Sequence, residues 1–198
     1  MNKIPFVATP GQAVTVELPE WVAEIIDWDK VYRSDEEKMA LAIELSKQNV
    51  LRGTGGPFGT AIFDRASGLL VGVGVNRVVP LTNSTLHGET VAIMLAEKAL
   101  GAFTLAVDTG RELFTSCEPC AMCMGAVLWS GVNRLVCAGA AEDARAIGFD
   151  EGPVFEQSYD YLKNAGIEVV RQFMRADAKA VLDHYKDSGG RIYNGKES

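Results

Sequence analysis

One spacing constrains this chain more than any other: His87-Gly88-Glu89, then, roughly thirty residues on, Cys117-Glu118-Pro119-Cys120-Ala121-Met122-Cys123. Zinc takes imidazole nitrogen and thiolate sulfur, and a catalytic zinc site keeps three protein donors and one open position. The segment offers two overlapping Cys-x-x-Cys pairs, and with His87 as the third donor only one pair is needed. Pro119 predicts a helix start, since its missing N–H costs nothing in a first turn, and so places Cys120 and Cys123 in the first two turns. Residues three apart on a helix face the same way, so the two sulfurs converge. The helix N-terminus also favours thiolate over thiol. Cys117 precedes the helix at the end of a strand and is expected to point elsewhere. We therefore expect one zinc ion per chain on His87, Cys120 and Cys123, with water or hydroxide in the fourth position. The alternative is a closed structural knot with Cys117 as fourth ligand, which leaves no room for a reacting water. Cys137 sits in an apolar strand and reads as core. His184 lies among charged residues of a late helix and reads as solvated.

His-x-Glu followed by Pro-Cys-x-x-Cys resembles the signature of the zinc-dependent nucleobase deaminases. In that chemistry Glu89 is the general acid/base beside the metal, not bound to it. A capping carboxylate in a first helical turn is its plainer role, and the two are compatible. Over residues 55–151, about half the chain, the sequence resembles more specifically the bacterial guanine deaminases of the cytidine-deaminase-like superfamily. The matching pieces are Gly55-Gly56-Pro57-Phe58-Gly59, Asn76 eleven residues before His87, Thr115 through Cys123, and Gly148-Phe149-Asp150-Glu151. The metal motif is shared with tRNA adenosine deaminases, so the last piece discriminates best. The resemblance implies that Asn76 hydrogen-bonds the purine and Phe58 stacks on it. It implies that Glu151 is a second acid contacting the base and moving protons, with Asp150 its neighbour and competitor for that role. A carboxylate suits guanine because it accepts from ring N–H and amine groups. It also implies a C-terminal segment, here with Tyr193, that covers the active site of its own or a partner subunit, and a homodimer. Gly88 departs from the Ala that many relatives carry. The implied reaction is hydrolysis of guanine to xanthine and ammonia, with an aminotriazine such as ammeline a related substrate. Deamination of adenosine in tRNA, or of cytosine or cytidine, is the alternative.

The formal net charge of −7 argues against a nucleic-acid partner, because such binding depends on Lys and Arg against phosphate. A small purine or aminotriazine base is the expected partner, with neither nucleic acid nor membrane. No apolar run is long enough to span a bilayer, and Met1-Asn2-Lys3-Ile4-Pro5 does not open a signal peptide. Three of the four cysteines fall within seven residues, a poor disulfide framework that suits a reducing cytoplasm. A zinc-structured binding module without catalysis remains the reading from another class; it requires four protein ligands and an inert Glu89.

The length suits one domain. Residues 1–34 read as an N-terminal extension packed on a deaminase domain spanning 35–198. Within the extension, 13–18 alternates like a short strand and 20–28 like a helix with Trp21, Ile25 and Trp28 on one face. Ser34-Asp35-Glu36-Glu37 is a capping box opening a helix to about Leu51. Strands are expected at 58–64, 69–76, 111–115, 134–138 and 167–171, and further helices at 87–100, 119–129, 141–147 and 176–185. Helices alternating with strands after a first hairpin predict an α/β fold, a three-layer α/β/α sandwich around a mixed five-stranded sheet.

Overall fold

The computed structural model describes residues 13–195. Five strands form one mixed sheet: β1 (Gly59–Asp64), β2 (Leu70–Val75), β3 (Arg111–Cys117), β4 (Arg134–Gly139) and β5 (Glu168–Val170). Their spatial order is β2-β1-β3-β4-β5. β1 is antiparallel to β2 and β3, whereas β3, β4 and β5 run parallel. One face carries the single-turn α1 (Val22–Ile25) with α2 (Asp35–Leu51), α5 (Ala141–Ile147) and α7 (Arg175–Asp187). The other carries α3 (Gly88–Leu100), α4 (Ala121–Ser130) and α6 (Glu156–Asn164). This is the expected three-layer sandwich.

Strand alternation creates the two cores. In β1, Ala61 and Phe63 face the α2 side while Ile62 faces α3; in β4, Val136 and Ala138 oppose Leu135 and Cys137 in the same way. Phe63 and Phe114 are fully buried and meet edge to face at 5.7 Å, each such side chain contributing roughly 1.5–3 kcal/mol of burial. The capping box forms as read: the Glu37 amide donates to Ser34 Oγ at 3.3 Å, and the Ser34 amide donates to the Glu37 carboxylate at 3.3 Å.

The N-terminal region differs from expectation. Residues 13–19 are irregular, because a strand exists only through pairing. The bridge near the start of β2 is instead made by Val31 with Leu69. The expected helix at 20–28 is the one turn α1. Trp21 is buried, with Nε1 donating to Thr54 Oγ1 at 3.0 Å, but Trp28 is half exposed, and a longer helix without a packed face is marginal. α6 was not foreseen; Tyr159 and Leu162 are its buried residues, too few to mark an apolar stripe. No helix among the described residues is long and apolar enough to cross a membrane.

Two glycines fix the approach of α3 to the sheet. A Cβ at Gly74 would lie 2.2 Å from the Gly88 carbonyl, and one at Gly72 would lie 2.8 Å from the Ala96 Cβ. Because β2 has no side chains there, the first turn of α3 rests directly on the sheet.

Candidate active site

The N-termini of α3 and α4 meet beside the C-terminal ends of β3 and β4, the end of an α/β sheet where ligands collect. His87 is the N-cap of α3 and Cys120 the N-cap of α4. The expected placement of Cys120 inside the first turn is thus corrected. Pro119 lies before the cap, Cys120 keeps an extended ψ of 171°, and the helix begins at Ala121. Cys123 still follows three residues later, so the two sulfurs converge as required. Cys120 Sγ lies 3.5 Å from His87 Nδ1, and the donor atoms of His87, Cys120 and Cys123 all fall within 4.8 Å of one another. Tetrahedral zinc with bonds of about 2.3 Å to sulfur and 2.0 Å to nitrogen separates such donors by roughly 3.5 Å, so this set fits a zinc ion.

The electrostatics point the same way. A hydrogen bond from the Cys123 thiol, and then one with His87, outweighs burial and pulls the Cys120 pKa down to about 4. Burial disfavours the charged His87 ring, but the Cys120 sulfur more than compensates and the imidazole pKa is raised. Cys117 is buried against Ala144, Ile147, Phe149 and Leu182, and its Sγ meets the Ala140 carbonyl at 3.6 Å. It takes no part in the donor cluster. Cys137 is core and His184 is exposed.

Two buried carboxylates, Glu89 and Glu151, share with His87 and Cys120 a cavity that Phe58, Asp150 and Tyr193 also line. Glu89, in the first turn of α3, is 6% exposed; burial, and then the Cys120 charge, raise its pKa. Glu151, on the loop after α5, is equally buried; burial, with the charges of Cys120 and Glu89, pushes its pKa up to about 8. Asp150 is exposed, and its carboxylate accepts from the Gly152 amide at 2.9 Å. Of the two acids, Glu151 is the one turned into the protein.

Asn76 is fully buried just after β2, its Oδ1 accepting from the Val78 amide at 3.2 Å. Its Nδ2 is enclosed without a protein partner, an expensive condition that a ligand acceptor would relieve. Phe58 and Phe149 pack edge to face at 5.1 Å, and Phe149 meets Tyr193 at 5.0 Å. The C-terminal segment crosses the cavity. Tyr185 Oη donates to the Arg191 carbonyl at 2.6 Å, and Asn194 bonds the Gly148 carbonyl and the Asp150 amide at 3.1 and 2.9 Å. Tyr193 Oη is enclosed and unpaired. The space left is about 40 Å³, enough for a water molecule and far below the ~300 Å³ of small-molecule sites.

Sequence reasoning left Phe149, Glu118 and Arg171 without roles. Phe149 and Glu118 stand inside the quoted motifs, but Arg171 had no local signal.

Residues 32–139 match the family model described as the cytidine and deoxycytidylate deaminase zinc-binding region. The structure is similar to that of a guanine deaminase from Nitrosomonas europaea, with 41% identity and a TM-score of 0.83 over 88% of this chain and 97% of that one. A second structure, a mutant in complex with 8-azaguanine, matches with 41% identity and a TM-score of 0.83 over 88% of this chain and 98% of that one. The guanine deaminase of Bacillus subtilis is 37% identical over 116 residues, 59% of this chain and 71% of the relative.

Proposed function

Because this chain belongs to the cytidine and deoxycytidylate deaminase zinc-binding family, we propose that it is a zinc-dependent aminohydrolase converting guanine and water to xanthine and ammonia. One observation carries the proposal: two buried carboxylates, Glu89 and Glu151, line one small cavity together with His87 and Cys120, two of the three convergent donors His87, Cys120 and Cys123. Zinc held by those donors would lower the pKa of water to about 7 and so supply the nucleophile. Glu89 takes one proton of the attacking water and delivers it to the ring nitrogen, then carries the second, from the hydroxyl now on C2, to the amine, which leaves as ammonia as the C2 carbonyl forms. Burial raises its pKa and so makes it a stronger base than an exposed carboxylate. Phe58 stacks on the base, and the unpaired Nδ2 of Asn76 donates to it. Glu151, whose pKa is raised first by burial, holds the amino-imine edge. Asp150 lines the same cavity and orders the Glu151 loop by accepting from the Gly152 amide. Tyr193 shifts to admit the base and then closes over it.

An aminotriazine such as ammeline presents a similar edge and is the second substrate class. We further propose that residues 1–34 are an extension on a deaminase domain spanning 35–198, and that the protein is a cytoplasmic homodimer. The free cysteines and the exposed Trp129 and Phe103, at 84% and 92%, support this; a monomer in sedimentation would count against the dimer.

The decisive test is ammonia release from a panel of free bases, nucleosides and aminotriazines, with and without chelator. Guanine turnover that chelation abolishes is expected. Activity confined to adenosine in tRNA, with salt-dependent tRNA binding, would overturn the assignment.

A further inference from the structure

We propose that Glu118 and Arg171 are positioning residues for this site: their ion pair ties the turn carrying Cys120 to the segments flanking the Glu151 loop. The proposal rests on the zinc aminohydrolase function put forward above. Glu118 is 2% exposed, and a carboxylate is almost never that buried unless paired. Three donors account for it. Arg171 Nε reaches Oε1 at 2.8 Å and Nη2 reaches Oε2 at 3.3 Å, while the amide of Ala141, the first residue of α5, donates to Oε2 at 3.1 Å. Arg171 directs its remaining Nη1 to both oxygens of Glu156, the first residue of α6, at 2.6 and 2.9 Å. Its guanidinium also lies 3.9 Å over the Tyr159 ring.

The Glu151 loop runs from α5 to α6. One end of the ion pair therefore holds the start of the helix before the loop, and the other holds the start of the helix after it. A backbone bond from the Ala121 amide to the Glu151 carbonyl, 3.0 Å, closes the ring beside Cys120. The chain bends sharply to put Arg171 there. Gln172 and Met174 have φ of 59° and 58°, left-handed values that non-glycine residues keep only where their surroundings over-determine them. Arg171 serves by its planar fork and its stacking as much as by charge, which lysine cannot reproduce.

The test uses full-length, metal-loaded Glu118→Gln and Arg171→Lys proteins. It reads cobalt(II) affinity by chelator competition, the visible spectrum of the cobalt form, and kcat and KM for guanine. Glu118→Gln turns an amide NH2 toward donors that need acceptors. By shifting the turn that carries Cys120 it should weaken cobalt binding by about tenfold, the low end of the range for groups bonded directly to a ligand, and shift the cobalt bands. Arg171→Lys should keep cobalt affinity within about threefold and lower kcat/KM by about tenfold, chiefly through KM. A purely structural pair would lower the melting temperature but leave cobalt bands and KM of the folded protein unchanged, and that result overturns the proposal. Glu156, an exposed side chain at the start of α6, tolerates truncation if the buried variants do not fold. Glu156→Ala should raise KM, and an unchanged KM is equally fatal. The cobalt measurements need no turnover, so an inactive parent protein would refute the guanine assignment and leave the positioning test intact.

Discussion

Replacing Glu151 by glutamine should stabilise the chelator-stripped protein near neutral pH, an unusual direction for a change at a buried site. Glu151 has its pKa raised from 4.5 to about 8, first by burial and then by the negative charges of Cys120 and Glu89. A carboxyl group with a raised folded pKa contributes its full stability below the unfolded value and loses it as pH rises toward the folded value. Between roughly pH 4.5 and 8 the folded chain holds a proton that the unfolded chain has released, so stability falls by about 1.4 kcal/mol per pH unit. At pH 7 the accumulated penalty is at most about 3 kcal/mol. Glutamine has no such titration, and a net gain of roughly 1–3 kcal/mol is expected once imperfect hydrogen bonding by the amide is allowed for. Cys120, with its pKa lowered to about 4, contributes a slope of the opposite sign, gaining stability as pH rises. The diagnostic quantity is therefore the difference between the two proteins, followed by urea denaturation from pH 5 to 8 under reducing conditions. The gap should widen steadily with pH and shrink when zinc is restored. A gap that stays constant with pH, or a variant less stable than the parent at pH 7, would refute the assignment of Glu151 as a buried, proton-holding acid.

Glu89→Gln should retain one equivalent of zinc while ammonia release from guanine falls by about 10²–10⁴-fold; loss of the metal, or near-normal turnover, would remove Glu89 from the proton path. A Cβ at Gly56 would sit 2.1 Å from Tyr193 Oη, so Gly56→Ala should displace the C-terminal segment and raise hydrogen exchange at residues 190–195. Unchanged protection there would show that Tyr193 is not held against this glycine. Phe114→Ala, at a fully buried position of β3 on the α2 side of the sheet, should cost about 3–5 kcal/mol in denaturation with the zinc site still formed.

Much of the molecule was legible because local chemistry and tertiary packing agree. Ser34 and Glu37 start α2 through bonds that span three residues, and the hairpin of β1 and β2 is equally local. His87, Cys120 and Cys123 stood out because metal donors are few and their spacing is narrow. Glu89 followed from standing two residues past His87. Helix periodicity was sufficient for Cys120 and Cys123 even though the helix begins later than Pro119 suggested, since N-cap and third residue keep the same three-residue offset. The irregular run at 13–19 and the short α1 were misjudged for one reason: alternation and amphipathicity describe what a segment can do, and pairing or burial elsewhere decides whether it does. α6 escaped notice because two buried side chains suffice to hold it.

What the sequence determined by itself was the cluster of His87, Cys120 and Cys123, the buried acid Glu89 beside it and the α/β layering, each written in short spacings or in the period of apolar residues. What only the tertiary structure decided was which acid turns inward, why Gly72 and Gly74 must be bare, and where Tyr193 and Arg171 come to rest. Glu151 and Asp150 are adjacent and chemically alike; burial of one and exposure of the other depend on α5 and α6 at either end of their loop. Arg171 meets Glu118 across 53 positions. No local pattern records such a meeting, because it is made by parallel strands that bring distant segments to the same end of the sheet.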